Sequence, residues 1–395
     1  MKRLLLSVKL LFFTAIVCAG NAFPPSVRIA EGPWLQQVGD RGFTVVWTTN
    51  VPAAAWVEVA PDDTTHFYAA ERPRYYETHL GRRKTGTLHR VRVDGLEPGT
   101  RYRYRIMQQA LLCDEGNRRM ILGEGYGSDI LKHAPYPAAT TDPQCGELEF
   151  WMVNDIHGRD SVFRRLIGAA PERKPDFVCL NGDLLNSIES SQALFDGLLR
   201  SASELLAPAG IPLVVTRGNH DGRGSYAPHW LDLFPTPTNE SYYLFRQGPV
   251  CFLVLDGCED KPDSDIRYYG LAASDSYREQ EARWLEQAVA SEEFRSAPYR
   301  IVLLHMPPNT DRGWHGEREV ERLFLPILDR AGIDAMLCGH YHRYYWIEDR
   351  YSFPLLINSN VDRAEVRIDA EGIRIRIVGT DGATKKEHKL IRHER

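Results

Sequence analysis

Hydrophobic residues are placed in two different ways along this chain. From about Val27 to Lys132 they fall in short β-rich runs, Phe43 to Thr48 and Ala55 to Val59 among them. Between His89 and Ile106, Val91 and Val93 alternate with arginine, and so do Tyr102, Tyr104 and Ile106, on either side of Pro98-Gly99. A period of two around such a pair predicts two half-buried strands joined by a tight connection. Residues 27–134 therefore read as an all-β domain. Gly123 to Gly127 is glycine-rich, but no Lys-Ser or Lys-Thr follows, so it reads as a turn and not as a cradle for phosphate. Three prolines and several small residues between Ala134 and Gly146 read as a linker.

Beyond the linker, over residues 147–395, apolar β runs alternate with helical stretches. Leu148 to Val153 precedes Val162 to Ala169, and Phe177 to Leu180 precedes Ala193 to Leu206. Leu213 to Val215 follows, then Val250 to Leu255 before Glu279 to Val289, Ile301 to Leu304 before Glu317 to Ala331, and Ala335 to Leu337. Strands alternating with helices predict an α/β domain. Leu355 to Asn358, Ala364 to Ile368 and Ile373 to Val378 add short strands near the end.

Composition changes this picture little: 43% hydrophobic and 26% charged residues over 395 suit a globular protein of two domains. The formal charge of -5 offers no nucleic-acid footprint. The N-terminus does add something. Lys2, Arg3 and Lys9 precede an apolar stretch from Leu10 to Gly20, with small residues at Gly20-Asn21-Ala22. That stretch is too short to span a bilayer and reads as an export signal, residues 1–22, leaving no membrane span after its removal. The expected location is periplasmic or extracellular; a lipid on Cys18 is a less favoured alternative, because bulky Val17 precedes it. Cleavage would remove the three cationic residues and take the formal charge from -5 to about -8. The other six cysteines show no CxxC pair. Cys179, Cys251 and Cys338 sit in apolar runs as small hydrophobes, while Cys113 with Cys145 is a candidate disulfide.

Chemistry gathers just past the C-terminal ends of the β runs, the edge where open α/β sheets bind ligands. There stand Asn154-Asp155-Ile156-His157-Gly158, Asn181-Gly182-Asp183, Arg217-Gly218-Asn219-His220-Asp221, His305, and Gly339-His340-Tyr341-His342. Carboxylate oxygen, imidazole nitrogen and a neutral amide carbonyl together suit Mn, Fe or Zn better than an all-oxygen Mg or Ca site. Asp183, with two oxygens, can bridge two ions. A pair of metals about 3.5–4 Å apart can clamp a phosphoryl group and turn water into a nucleophile near neutral pH.

The ordered motifs Asp-x-His, Gly-Asp, Gly-Asn-His-Asp, His and Gly-His-x-His resemble those of the calcineurin-like metallophosphoesterase superfamily, over roughly Glu147 to Arg350. Leu96-Glu-Pro-Gly-Thr-Arg-Tyr-Arg-Tyr104 resembles a fibronectin type III turn and strand. With Phe43-Thr-Val-Val-Trp47, it is similar to the N-terminal domain of purple acid phosphatases. The resemblance implies an N-terminal β-sandwich followed by an α/β sandwich metallophosphoesterase domain. It implies one metal on Asp155, His157, Asp183 and His342, and a second on Asp183, Asn219, His305 and His340. His220 would face the phosphate as general acid or transition-state stabiliser, with Asp221 orienting its imidazole. One departure matters: purple acid phosphatases have Asp-x-Gly first and then Gly-Asp-x-x-Tyr, whereas His157 and Asn186 stand at those positions here. Asn186-Ser187 and Asp221 also depart from the protein phosphatases of the superfamily.

Other residues invite weaker readings. Asn181 and Asn186 read as loop residues without chemistry, and Asp256 as either an outer support of the site or a turn. Trp314 and His315 either line the substrate pocket or form an exposed loop. Arg82-Arg83-Lys84 either reaches substrate or is solvated. Tyr226 to Asn239 and Lys261 to Tyr277 are expected to shape the pocket. The partner implied is a small phosphorylated substrate, with monoester favoured over diester by analogy of the N-terminal domain. A reading of another class is a cell-surface binding protein whose metal domain only scaffolds.

Overall fold

The computed structural model describes residues 26–127, 129–168, 174–309 and 313–391; the export signal and Cys18 lie outside them. The first domain is organised by one long strand, Gly42–Pro61. Its first half pairs antiparallel with Ile29–Gly39 and Thr85–Val93, and its second half with Arg101–Asp114. The register shifts between Thr48 and Ala53, so a single strand serves both layers of the sandwich. Phe43, Val45 and Trp47 from one half, and Val57 and Val59 from the other, close on Val91, Val93, Tyr104 and Ile106 in one core. The alternation of arginine with Val91 and Val93 is thus the alternation of a solvated and a buried face.

The expected linker is partly a strand. Tyr136–Ala139 pairs with Arg101–Tyr104 and extends the first domain's sheet beyond residue 134. Proline is tolerated on such an edge, where one side of the ladder needs no donor. Cys113 and Cys145 do not form the candidate disulfide: all six cysteines outside the signal are free. Cys113 lies in the strand opposite Ile121, and the Cys145 thiol is spent on the Glu147 carbonyl at 3.1 Å.

The second domain stacks two six-stranded sheets. One runs, in spatial order, Leu213–Thr216, Phe177–Asn181, Leu148–Val153, Asp362–Asp369, Gly372–Gly379, Thr384–Ile391. The other runs Tyr243–Gln247, Val250–Leu255, Tyr299–Leu304, Ala335–Cys338, Leu355–Ile357, Tyr345–Ile347. The strands expected as continuous apolar runs form the parallel parts of these sheets, buried on both faces except at the edge strand Leu213–Thr216. Phe150, Met152, Phe177, Phe252, Leu303 and Leu337 fill the space between the sheets. Helices cover the outer faces, giving the α/β sandwich expected.

Two helical stretches are interrupted. Ser191–Leu194 passes into a π turn at Phe195–Leu199 before Arg200–Leu206 resumes. The stretch expected from Glu317 to Ala331 is two helices, His315–Leu323 and Leu325–Ala331. Pro326 sits in the second helix's first turn, where a missing N–H costs nothing. No helix among the described residues is long and apolar enough to cross a membrane.

Candidate metal centre

The parallel strands of both sheets end at one edge, and the loops leaving them bring the nine motif residues together. Asp155, His157, Asp183, His340 and His342 all sit at positive φ, between 50° and 73°. Non-glycine residues rarely adopt this conformation; clustered at one site, it marks backbone held against its preference so that side chains converge. Neighbouring glycines make room. A Cβ on Gly218 would lie 2.3 Å from Asp183 Oδ1, and one on Gly339 2.7 Å from Asp155 Oδ2.

Three groups of ligand atoms lie close enough to share an ion: Asp155, His157 and His342; Asp183, His305 and His340; and His157, Asp183 and His220. The atoms meet in a way that protein alone does not satisfy. Asp155 uses Oδ2 to accept from Asn154 Nδ2 and from the His340 backbone N–H, but its buried Oδ1 has no donor. His305 faces the Asn181 carbonyl with Nδ1 at 2.8 Å, so that nitrogen carries the proton. Its buried Nε2 then directs a lone pair at Asp183 Oδ2, 3.3 Å away. His157 Nε2 and His342 Nε2 stand 3.0 Å apart, with Asp155 Oδ1 3.2 Å from the latter. Asn219 Oδ1 and His340 Nδ1 are 3.1 Å apart, and His340 Nε2 faces the Glu317 carboxylate. Lone pairs aimed at one another from carboxylate, imidazole and amide fit a cation between them.

The electrostatics agree. Burial would raise the carboxyls of Asp155 and Asp183, but His305 and the surrounding imidazole donors hold both below the usual carboxylate range. Burial works against a charge on His305, yet Asp183 and Asp155 lift it to about 10, so a proton and a metal ion compete for its Nε2. The pocket thus draws positive charge to the point where His305 Nε2 sits.

His220 stands beside this cluster, its ring edge-on to that of His157 with centroids 5.0 Å apart and Nε2 3.9 Å from Asp183 Oδ2. Its Nδ1 meets the Asn186 backbone carbonyl at 2.9 Å, and Arg223 Nη1 approaches Nε2 at 3.1 Å. Burial, against the pull of Asp183, keeps the imidazole below its ordinary value. The expected role of Asp221 is corrected here: it does not orient His220. It is fully buried and accepts from the backbone N–H groups of Asp183, Leu184 and Gly218, at 2.8, 2.9 and 2.9 Å. Burial and the charge of Asp183 push its carboxyl up, against the pull of those donors. Asp221 therefore ties two ligand-bearing loops together. Asn181 and Asn186 are not inert either, since their carbonyls set the orientation of His305 and His220.

Several supports lie beyond the nine expected site residues. Asn154 and Asn358 exchange hydrogen bonds behind Asp155, and Arg159 binds the carbonyls of Asp155 and Ile156. Arg223 is gripped by Glu259 and Asp260. Glu317 is buried on the far side of His340. Its spacing from Trp314, three residues into a helix start, is the signal that could have marked it as a first-turn carboxylate. Asp256 holds Arg217 and Ser241 and reaches no ligand. Tyr226 to Asn239 and Lys261 to Tyr277 both contribute to a cavity of about 670 Å³ next to Arg223. Trp314 is 56% exposed with Lys261 over its ring, and His315 pairs with Asp275. Lys84 pairs with Glu77 and Arg83 covers Tyr76, so two charges of that run are engaged within its own domain.

Comparisons with known proteins follow this division of the chain. Residues 148–344 match the calcineurin-like phosphoesterase family, and residues 32–118 match the purple acid phosphatase N-terminal domain. The serine/threonine-protein phosphatase CPPED1 of Bos taurus is 23% identical over 271 residues, 63% of this chain and 82% of that protein. Purple acid phosphatase 21 of Arabidopsis thaliana is 26% identical over 274 residues, 66% of this chain and 53% of that protein. A dimetal phosphatase structure from Danio rerio aligns with a TM-score of 0.44 at 12% identity, covering 64% of this chain and 100% of that one. The chain is a hydrolase of the calcineurin-like phosphoesterase family that carries a purple acid phosphatase N-terminal domain.

Proposed function

We propose that this protein is an exported phosphomonoesterase working with two transition-metal ions. One ion would be held by Asp155, His157, Asp183 and His342, the other by Asp183, Asn219, His305 and His340. The observation that carries this reading is the convergence of carboxylate and imidazole ligand atoms from separate strand ends, with the buried Asp155 Oδ1 and His305 Nε2 left without a partner. When bound, the ions supply charge to polarise the phosphoryl group and activate water for attack. The chain's own residues do the rest. Asn181 keeps the proton of His305 on Nδ1, so that Nε2 stays a ligand. Asp221 and the Asp155 loop hold the carboxylates in place. His220 lies at the rim, positioned by Asn186, where it can give a proton to the departing oxygen or offset charge on the phosphoryl group. Export rests on the basic and apolar N-terminus, and the preference for monoesters on the kinship of the N-terminal domain.

Purified protein is expected to contain close to two ions per chain, to lose turnover on chelation and to regain it with Mn. It should hydrolyse p-nitrophenyl phosphate faster than bis(p-nitrophenyl) phosphate. Full activity with one ion or none would refute the two-metal reading, and preference for the diester would refute the substrate class.

A further inference from the structure

Glu317 is a carboxylate in an unusual place. It occupies the first turn of the helix His315–Leu323, where charge is normally solvated, yet it is only 1% exposed. Both of its oxygens are committed. Oε1 faces His340 Nε2 at 3.1 Å, while Oε2 accepts from the Trp314 backbone N–H at 3.1 Å and from the Tyr341 hydroxyl at 3.0 Å. That hydroxyl is itself held by Asn309 Nδ2 at 2.7 Å. The carboxylate packs tightly against Gly313, where a Cβ would come within 2.3 Å of Oε2.

We propose that Glu317 is a positioning residue that sets the affinity of one of the two metal positions, the one on Asp183, Asn219, His305 and His340. The inference rests on the two-metal reading above. Its physical basis is local. A carboxylate facing Nε2 keeps the proton of His340 on that nitrogen, which leaves the Nδ1 lone pair directed at Asn219 Oδ1. Three fixed donors, His340 Nε2, the Trp314 backbone N–H and the Tyr341 hydroxyl, prevent the carboxylate from swinging away. Such outer partners of a ligating histidine typically change metal affinity by about 10–100-fold. At the other metal position buried His157 Nδ1 has no such carboxylate partner among the described residues. Glu317 should therefore act on one ion and spare the other. The same contacts tie that ion to the loop after Leu304, because Tyr341 and Asn309 share the network.

The test uses the full chain, stripped by chelation and titrated with Mn²⁺ by calorimetry. Paramagnetic resonance distinguishes a lone Mn²⁺, with its resolved hyperfine signal, from a coupled pair. In the wild type two ions should bind. In Glu317→Gln one should weaken by about 10-fold, and in Glu317→Ala by up to about 100-fold, with the other ion unchanged. At one equivalent of Mn²⁺ above the tight site, the variants should show the lone-ion signal where the wild type shows the pair. Unchanged affinities at both positions, or equal losses at both, would overturn the inference. A wild type that binds fewer than two ions would instead overturn the two-metal reading itself. Tyr341→Phe is a second variant that keeps the His340 contact and the helix start while removing one donor to Oε2. It should weaken the same ion by a smaller factor, and a wild-type titration there counts against the proposal even if the Glu317 variants do not fold.

Discussion

At the scale of the residue, His220 and Asp221 show how far adjacency in sequence can mislead. Both belong to one motif, but their side chains leave the short helical turn His220–Gly222 in different directions. His220→Ala is expected to keep its metals and to lose about 10²–10⁴ in rate on an alkyl phosphate, the span of a positioned general acid. It should lose much less on p-nitrophenyl phosphate, whose leaving group departs without a proton. Equal losses on both substrates would assign His220 to charge stabilisation instead. Asp221→Asn should behave quite differently from a mild tuning mutation. The amide replaces an acceptor by a donor where three backbone N–H groups point, and each stranded donor costs about 1–3 kcal/mol. Thermal stability and metal content should therefore fall together with activity; a stable variant with both metals and reduced turnover would restore Asp221 to the role of orienting His220. The nine site residues are legible in the sequence because each follows an apolar run at the same sheet edge. Glu317 is not, because its partner His340 lies 23 positions away and only the fold brings them together.

At the scale of the element, what can be read are the central strands, whose burial on both faces writes them as unbroken apolar runs. The edge strand Thr384–Ile391 is not visible in this way. Its sequence carries three lysines and few apolar residues, because one side meets only solvent and lysine there discourages further pairing. The strand Tyr243–Gln247 is likewise hidden, its pairing being confined to Val250–Leu255 on one side. In the first domain, the strand Thr85–Val93 carries a buried histidine with a measurable consequence. His89 lies opposite Trp47, stacks on its ring at 5.0 Å, and meets Thr49 Oγ1 at 3.1 Å. Burial lowers it from 6.5 to about 4, while Glu77 raises and Lys84 lowers it. The unfolded chain therefore takes up this proton before the folded one does. Stability that is complete above about pH 6.5 is lost as pH falls toward 4, by roughly 2–3 kcal/mol for this group. Denaturant midpoints between those pH values should fall less steeply in His89→Gln than in the wild type. Parallel slopes would mean that His89 is already charged in the fold.

At the scale of the molecule, the two domains share an apolar cluster because residues out of phase with the first domain's own core serve the second. Phe43, Val45 and Trp47 point inward, but Val46 joins Trp34 in the apolar cluster of Trp151, Leu180, Phe195 and Leu198, on the outer face of the sheet that carries Asp155 and Asp183. An apolar residue on both faces of Phe43–Thr48 is visible in the sequence; that the second face meets another domain is not, since nothing local distinguishes such a partner from solvent. Polar contacts complete the seam: Arg200 grips Glu31 at 3.0 and 2.5 Å, and Ser203 donates to the Pro33 carbonyl at 2.8 Å. The ion pair is partly exposed and contributes less than about 1 kcal/mol. Trp34, only 3% exposed, contributes more, and cutting it to alanine should cost about 3–5 kcal/mol. The consequence is a change in cooperativity as well as in stability. Wild-type protein should melt in one calorimetric transition followed equally by strand and helix signals. Trp34→Ala should melt earlier and in two steps, the α/β domain losing its covered face first and its metals with it. Arg200→Met should lower the transition slightly without splitting it. Two separate transitions in the wild type, with Trp34→Ala shifting only that of the first domain, would show that the domains are merely tethered and that the metal centre owes nothing to its neighbour.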